Sequence, residues 1–199
     1  MIKCIIFDLG NVIVKNNPLK ACRKLSKNCP TDIDEVGWFA PKKMRRLIDT
    51  GKAGSRELYR IAGRKLGITI TQKSFERIIT DIFTPNKPVQ QIARKLSVKY
   101  KLLLLSNTNS LHYNHAKKNF PVLKLFSHHI VSYKVRSMKP SRKIYAEAVR
   151  KSGCSAGECV LIDDRQENAA GARKAGLKAI QYTTPAKLRQ SLKNLGVKI

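Results

Sequence analysis

The chain has 199 residues, 42% of them hydrophobic, and 40 Lys and Arg against 13 Asp and Glu give a formal net charge of +27. That length supports one hydrophobic core with a modest insertion, and no apolar run approaches the roughly 20 residues of a membrane span. The basic excess runs along the whole chain without zinc-finger spacing or interleaved aromatics, so it predicts general attraction for anions, with nucleic acid held only non-specifically.

The first apolar run is Cys4-Ile-Ile-Phe7, with the composition of a buried strand, and it ends on Asp8. Asp8 also interrupts the run too early for a secretory signal core, so a cytoplasmic protein is expected. Gly10 and Asn11 follow, both suited to a sharp turn. From Pro18 to about Phe83 the pattern predicts four amphipathic helices and no strand. Leu19, Cys22 and Leu25 share a face of the first. The second follows Thr31, carries Ile33, Val36, Trp38, Phe39, Met44, Leu47 and Ile48, and breaks near Pro41. Trp38 and Phe39 are expected in the core of this block. After a turn over 49–54, Ser55 is expected to cap a third helix holding Leu58, Ile61, Ala62 and Leu66. A fourth starts at Thr71 and carries Phe75, Ile78, Ile79, Ile82 and Phe83.

The segment Thr84-Pro-Asn-Lys-Pro88 marks a return to α/β alternation. A helix with Val89, Ile92, Ala93 and Leu96 precedes a strand over Leu102 to Leu105. A helix from about Ser110 to Phe120 leads to a strand near His129 to Tyr133. Pro140 opens a helix with Ile144, Tyr145, Ala148 and Val149. A strand over Cys159 to Ile162, a helix from about Glu167 to Ala175, a strand over Ala179 to Tyr182 and a helix after Pro185 complete the pattern. The reading is a parallel α/β sheet with helices on both faces, interrupted after its first strand by a helical insertion. The five cysteines, Cys4, Cys22, Cys29, Cys154 and Cys159, lack a CxxC pair and read as reduced small hydrophobes.

Four strand ends and helix starts carry polar groups. Asp8 closes the first strand, Ser106-Asn-Thr-Asn109 closes the second, Lys139 precedes a helix, and Asp163-Asp164 closes a later strand. In an open α/β sheet all of these lie at the edge where ligands bind. Phosphoryl transfer needs a nucleophile, a divalent cation and donors for the phosphate oxygens. Asp8 can be the nucleophile; Asp8, a nearby backbone carbonyl and a carboxylate of Asp163-Asp164 suit Mg²⁺. Ser106 and the Asn107 backbone N–H can hold a phosphate oxygen, and Lys139 can balance the carboxylates.

This constellation resembles the haloacid dehalogenase superfamily of phosphatases. The matching pieces are Ile6-Phe-Asp-Leu-Gly-Asn-Val-Ile13, Leu105-Ser-Asn-Thr-Asn109, Met138-Lys-Pro140 and Leu161-Ile-Asp-Asp164, in the family's order. More narrowly, Phe-Asp-Leu-Gly-Asn-Val together with Ser-Asn-Thr-Asn and Asp-Asp looks like the bacterial glucose-1-phosphatase-like branch. The resemblance implies a Rossmann-like three-layer core over residues 1–15 and 86–199, with a four-helix cap over 16–85 whose loop near Gly51 faces the site. It also implies a Mg²⁺-dependent phosphatase acting on a small phosphorylated metabolite such as a hexose 1-phosphate. Asp8 would be nucleophile and metal ligand, with the Gly10 carbonyl, Asp163 and Asp164 at the metal, and Ser106, Asn107 and Lys139 on phosphate.

One departure stands out. Most phosphatases of the superfamily place a second Asp two residues after the nucleophile as general acid and base, and here that residue is Gly10. A missing acid typically lowers rates 10²–10⁴-fold unless the leaving group departs readily. Two rival readings follow: a catalytically weak fold used as a basic anion- or nucleic-acid-binding module, and a metal-free haloacid dehalogenase, against which the paired Asp163-Asp164 argues. Lys52 is an anion contact or a solvated lysine. His112 and His115 lie three apart without a third ligand, and Arg165 receives no role.

Overall fold

The structure is a computed structural model describing residues 1–29 and 42–199. In chain order, β1 (Cys4–Phe7) and β2 (Val14–Asn16) lead into α1 (Pro18–Ser26), α2 (Lys42–Asp49), α3 (Ser55–Leu66) and α4 (Gln72–Thr80). β3 (Phe83–Pro85) then precedes α5 (Lys87–Leu96), β4 (Lys101–Ser106), α6 (Ser110–Asn119), β5 (His128–Val131) and the single turn α7 (Ser132–Val135). The chain ends with α8 (Arg142–Ser152), β6 (Cys159–Asp163), α9 (Gln166–Lys174), β7 (Lys178–Gln181) and α10 (Pro185–Asn194).

Five strands form a parallel sheet in the order β5-β4-β1-β6-β7. Alternate side chains enter two separate cores. Ile5, Phe7, Leu102, Leu104, Val160 and Ile162 pack with Val89 and Ile92 of α5 and Leu188 and Leu192 of α10. Cys4, Ile6, Leu103, Leu105 and Leu161 pack with Ile144, Tyr145 and Ala148 of α8 and Ala172 of α9. With both faces covered, the strands read as unbroken apolar runs rather than alternating ones. The result is the expected Rossmann-like three-layer α/β fold.

β1 sits between β4 and β6, in register from Cys4 opposite Lys101 and Cys159 to Phe7 opposite Leu104 and Ile162. Asp8, Ser106 and Asp163 therefore close three adjacent strands at one edge, where an open α/β sheet forms its ligand crevice. A third core, built on Leu25, Ile48, Leu58, Ala62, Leu66, Phe75 and Ile79, belongs to the helices between β2 and β3. No helix among the described residues is long and apolar enough to cross a membrane.

Several local expectations are corrected. The insertion is bracketed by an antiparallel ribbon in which Val14 pairs with Pro85 and Asn16 with Phe83, so Phe83, expected at the end of the fourth helix, is in a strand instead. The fourth helix stops at Thr80, so Ile82 and Phe83 fall outside it; the Ile82 carbonyl accepts from Asn17 N instead. Gly54, not Ser55, stands at the N-cap of α3. β5 ends at Val131 because the Ser132 hydroxyl bonds main-chain groups outside the sheet, and residues through Val135 turn helical. The turn after β1 takes its left-handed residue at Asn11, φ 56°, rather than at Gly10. Ile33, Val36, Trp38, Phe39 and Pro41 lie outside the described residues.

Candidate active site

At the end of β1, the Asp8 N–H continues the ladder to Ile162 O, and the carboxylate turns back on its own chain. Leu9 N donates to Oδ1 at 2.7 Å, and Lys139 Nζ reaches the same oxygen at 2.9 Å. Lys139 also donates to Asp163 Oδ2 at 2.5 Å and to Leu105 O at 2.9 Å, so all three ammonium protons are engaged. The Lys139 and Asp163 side chains are essentially sealed from solvent, 1% and 0% exposed. Burial works against the charge on Lys139, but Asp8 and Asp163 outweigh it and hold its pKa above the usual lysine value.

Asn107 fixes where that lysine sits. Its Nδ2 donates to Lys139 O at 2.9 Å and its Oδ1 accepts from Lys139 N at 2.8 Å. The Asn107 side chain is thus spent on the lysine backbone, leaving only its main chain for a ligand. Asp163 is held from the other side, its Oδ1 accepting from Arg165 N and Asn168 Nδ2 at 3.0 and 2.9 Å. Gly171 of α9 lets this layer close up. A Cβ there would lie 2.6 Å from Pro140 Cβ and 3.1 Å from Pro140 O.

Asp8, Asp163 and Asp164 bring one carboxylate oxygen each within 4.8 Å of one another. Asp164 is half-buried and accepts from Asn11 Nδ2 at 3.1 Å. Three carboxylates against one lysine leave an excess of negative charge, and Asp8 records it. Burial, then Asp163 and Asp164 against the pull of Lys139, push its pKa up to about 6. An all-oxygen donor set with uncompensated charge fits a hard divalent cation. Asp163 is already well engaged within the protein, with Oδ1 accepting two N–H bonds and Oδ2 one from Lys139.

Above the sheet edge a cavity of about 410 Å³ opens between Leu9, Gly10, Ser106, Asn107, Thr108 and Asn109 below and Ile48, Asp49, Leu58, Ile79, Ile82 and Phe83 above. Ser106 is buried and lines it, and its hydroxyl makes no hydrogen bond among the described residues. Arg45, His112 and Arg165 also line it. Gly51 and Lys52 line a separate depression with Ser110 and Tyr133, so it is Asp49, two residues earlier, that the helical block presents to the cavity.

The helical block is tied to the sheet edge at this point. Asn109, the N-cap of α6, donates from Nδ2 to Asp49 Oδ1 at 3.3 Å, and Ser132 Oγ donates to Asp49 O at 2.6 Å. His112 bridges to α4, with Nε2 3.0 Å from Ile79 O and Nδ1 3.3 Å from Asn109 Nδ2. Burial lowers its pKa to about 4, so the ring is neutral at physiological pH. Asp49, Asn16, Ser132 and Asn168 carry no motif signal; they belong to this site only because the fold brings them there.

Residues 2–176 match the model of the haloacid dehalogenase-like hydrolases, and the chain belongs to that family. Two curated relatives span nearly the same length. The sesquiterpene phosphatase astK of Aspergillus oryzae is 21% identical over 91% of this chain and 90% of its own. A D-ribitol-5-phosphate phosphatase of Bacteroides thetaiotaomicron is 24% identical over 96% and 97%. A HAD-family enzyme of Bacteroides thetaiotaomicron, solved with magnesium and inorganic phosphate, superposes with a TM-score of 0.82 at 23% identity, covering 92% of this chain and 95% of that one.

Proposed function

We propose that the protein is a Mg²⁺-dependent phosphatase that hydrolyses a small phosphorylated metabolite through an aspartyl-phosphate on Asp8. The observation that carries this reading is the buried Asp8–Lys139–Asp163 cluster at the end of three adjacent strands, beside a cavity lined by its neighbours Leu9 and Asn107 and by Ser106, whose hydroxyl has no hydrogen-bond partner among the described residues. Its support from relatives is that the two curated relatives described above are named phosphatases and the superposed HAD enzyme was solved with magnesium and phosphate.

In this reading Asp8 attacks phosphorus, and Leu9 N and Lys139 orient its carboxylate for the attack. Ser106 and the Asn107 N–H hold a phosphate oxygen, while Asn107 and Asn168 act as positioning residues for Lys139 and Asp163. Asp8, Asp164 and the Gly10 carbonyl would hold Mg²⁺, with Asp163 beside them. When bound, the ion supplies charge neutralisation for the transferring phosphoryl group. Residues 16–85 form a cap that closes the cavity over the substrate and excludes water while the intermediate forms. A sugar phosphate such as a hexose 1-phosphate fits the glucose-1-phosphatase-like opening motif.

Phosphate release from a panel of phosphate esters, with Mg²⁺ or with EDTA, tests the reading in wild type and Asp8→Asn. Turnover that needs Mg²⁺ and falls to background in Asp8→Asn is expected. Equal turnover in EDTA, or a fully active Asp8→Asn, overturns it.

A further inference from the structure

We propose that Asp49, carried by the helical block and not by the sheet, is the group that exchanges a proton with the leaving oxygen and with the attacking water. The proposal rests on the phosphatase reading above and supplies the acid and base that Gly10 cannot.

Three observations lead to it. First, the position two residues after Asp8 has no side chain, and the space beside it is filled. A Cβ on Gly10 would lie 2.7 Å from Asn16 Nδ2. Second, Asp49 is the one carboxylate among the described residues lining the cavity. The other titratable groups there are unsuited to the role. Arg45 and Arg165 do not give up protons, and His112 has both ring nitrogens engaged, by Ile79 O and Asn109 Nδ2. Third, Asp49 is held over the segment that carries Ser106. Asn109 donates to its Oδ1 and Ser132 to its main-chain oxygen, while among the described residues Oδ2 carries no hydrogen bond and is left for a substrate.

The electrostatics agree with this placement. Burial raises the Asp49 pKa, opposed by the Asn109 hydrogen bond and the Arg45 charge. In the first step Asp8 bonds to phosphorus, the P–O bond to the alcohol breaks, and the Asp49 proton passes to the departing oxygen. In the second, the Asp49 carboxylate takes a proton from water as the water oxygen bonds to phosphorus. The bond to Asp8 then breaks, releasing phosphate and returning Asp49 to its protonated form. The acid thus arrives with the helical block, so proton transfer is available only when that block sits on the sheet edge.

The test compares two esters of similar shape in the Mg²⁺-loaded enzyme. p-Nitrophenyl phosphate loses a phenolate that needs no proton, whereas benzyl phosphate loses an alkoxide that does. Asp49→Asn keeps the Oδ1 acceptor for Asn109 and removes the proton. It should lower kcat/KM for benzyl phosphate by about 10²–10⁴-fold and for p-nitrophenyl phosphate by less than about tenfold. Asp49→Glu should recover part of the benzyl phosphate loss. Because kcat/KM reports only the steps through aspartyl-phosphate formation, the water step does not blur the comparison. An equal fall on both esters, or no fall on either, overturns the proposal. If Asp49→Asn does not fold, the wild-type pH profiles decide. Loss of kcat/KM toward high pH on benzyl phosphate alone supports the role, and identical profiles overturn it. Wild type inactive on p-nitrophenyl phosphate, or Asp8→Asn still active, would instead sink the phosphatase reading itself.

Discussion

His112 illustrates how a single side chain couples acidity to the joint between the two layers of the site. Its neutral ring accepts from Asn109 at Nδ1 and meets Ile79 O at Nε2, with Phe83 edge-on at 5.4 Å and a small like-charge effect from His115. A protonated ring has two donors, so the Asn109 contact is lost. Burial has lowered its folded pKa to about 4 from 6.5, so the stability this group contributes is fully present above pH 6.5 and is lost as pH falls through 4. The expected loss over that interval is about 3 kcal/mol, from 1.36 kcal/mol per pKa unit. Urea unfolding of wild type and His112→Gln from neutral pH down to the low fours would measure it. The two stability curves should converge as the pH drops; curves that stay parallel would contradict the assignment.

At the scale of elements, α9 is packed against the segment that delivers Lys139. Gly171 faces Pro140 and the Tyr145 hydroxyl, which would lie 3.0 Å from a Cβ at that position and itself donates to Asn168 O at 2.8 Å. Gly171→Ala cannot be absorbed by a flexible side-chain end, because Pro140 contributes ring and main-chain atoms to the contact. Overpacking of this kind costs about 1–3 kcal/mol. The expected result is a lowered melting temperature together with reduced kcat, since Lys139 and Asp163 are both displaced. Calorimetry and steady-state turnover on the same preparation check it, and a variant of unchanged stability and activity would show that the layer has slack.

For the whole molecule, the net charge of +27 sets a positive field around a cavity whose wall includes Arg45 and Arg165. Such a field raises the encounter rate of anions, and salt screens it within about 8–10 Å at physiological strength. kcat/KM for a phosphate monoester should therefore fall by about tenfold between low and high NaCl, while kcat stays level. Initial-rate measurements across a salt series test this, and a flat kcat/KM would confine the charge to solvation.

The sequence by itself determined the sheet and the floor of the site. Strands buried on both faces must be continuous apolar runs, and the polar groups that end those runs must gather at one edge, which made Asp8, Ser106, Asp163 and Asp164 legible from local pattern, with Lys139, ahead of a helix, legible from the order of the motifs. The bracketing ribbon of β2 and β3 was not legible, because strands of three residues carry too little pattern to compete with the helical periodicity beside them. Nor were the roles of the polar side chains around the floor. Asn107 holds the Lys139 backbone, Ser132 leaves the sheet to bind across loops, and Asp49 meets Asn109 sixty residues away in sequence. Hydrogen-bond partners chosen over such separations depend on where packing puts each backbone, and only the tertiary structure decides that.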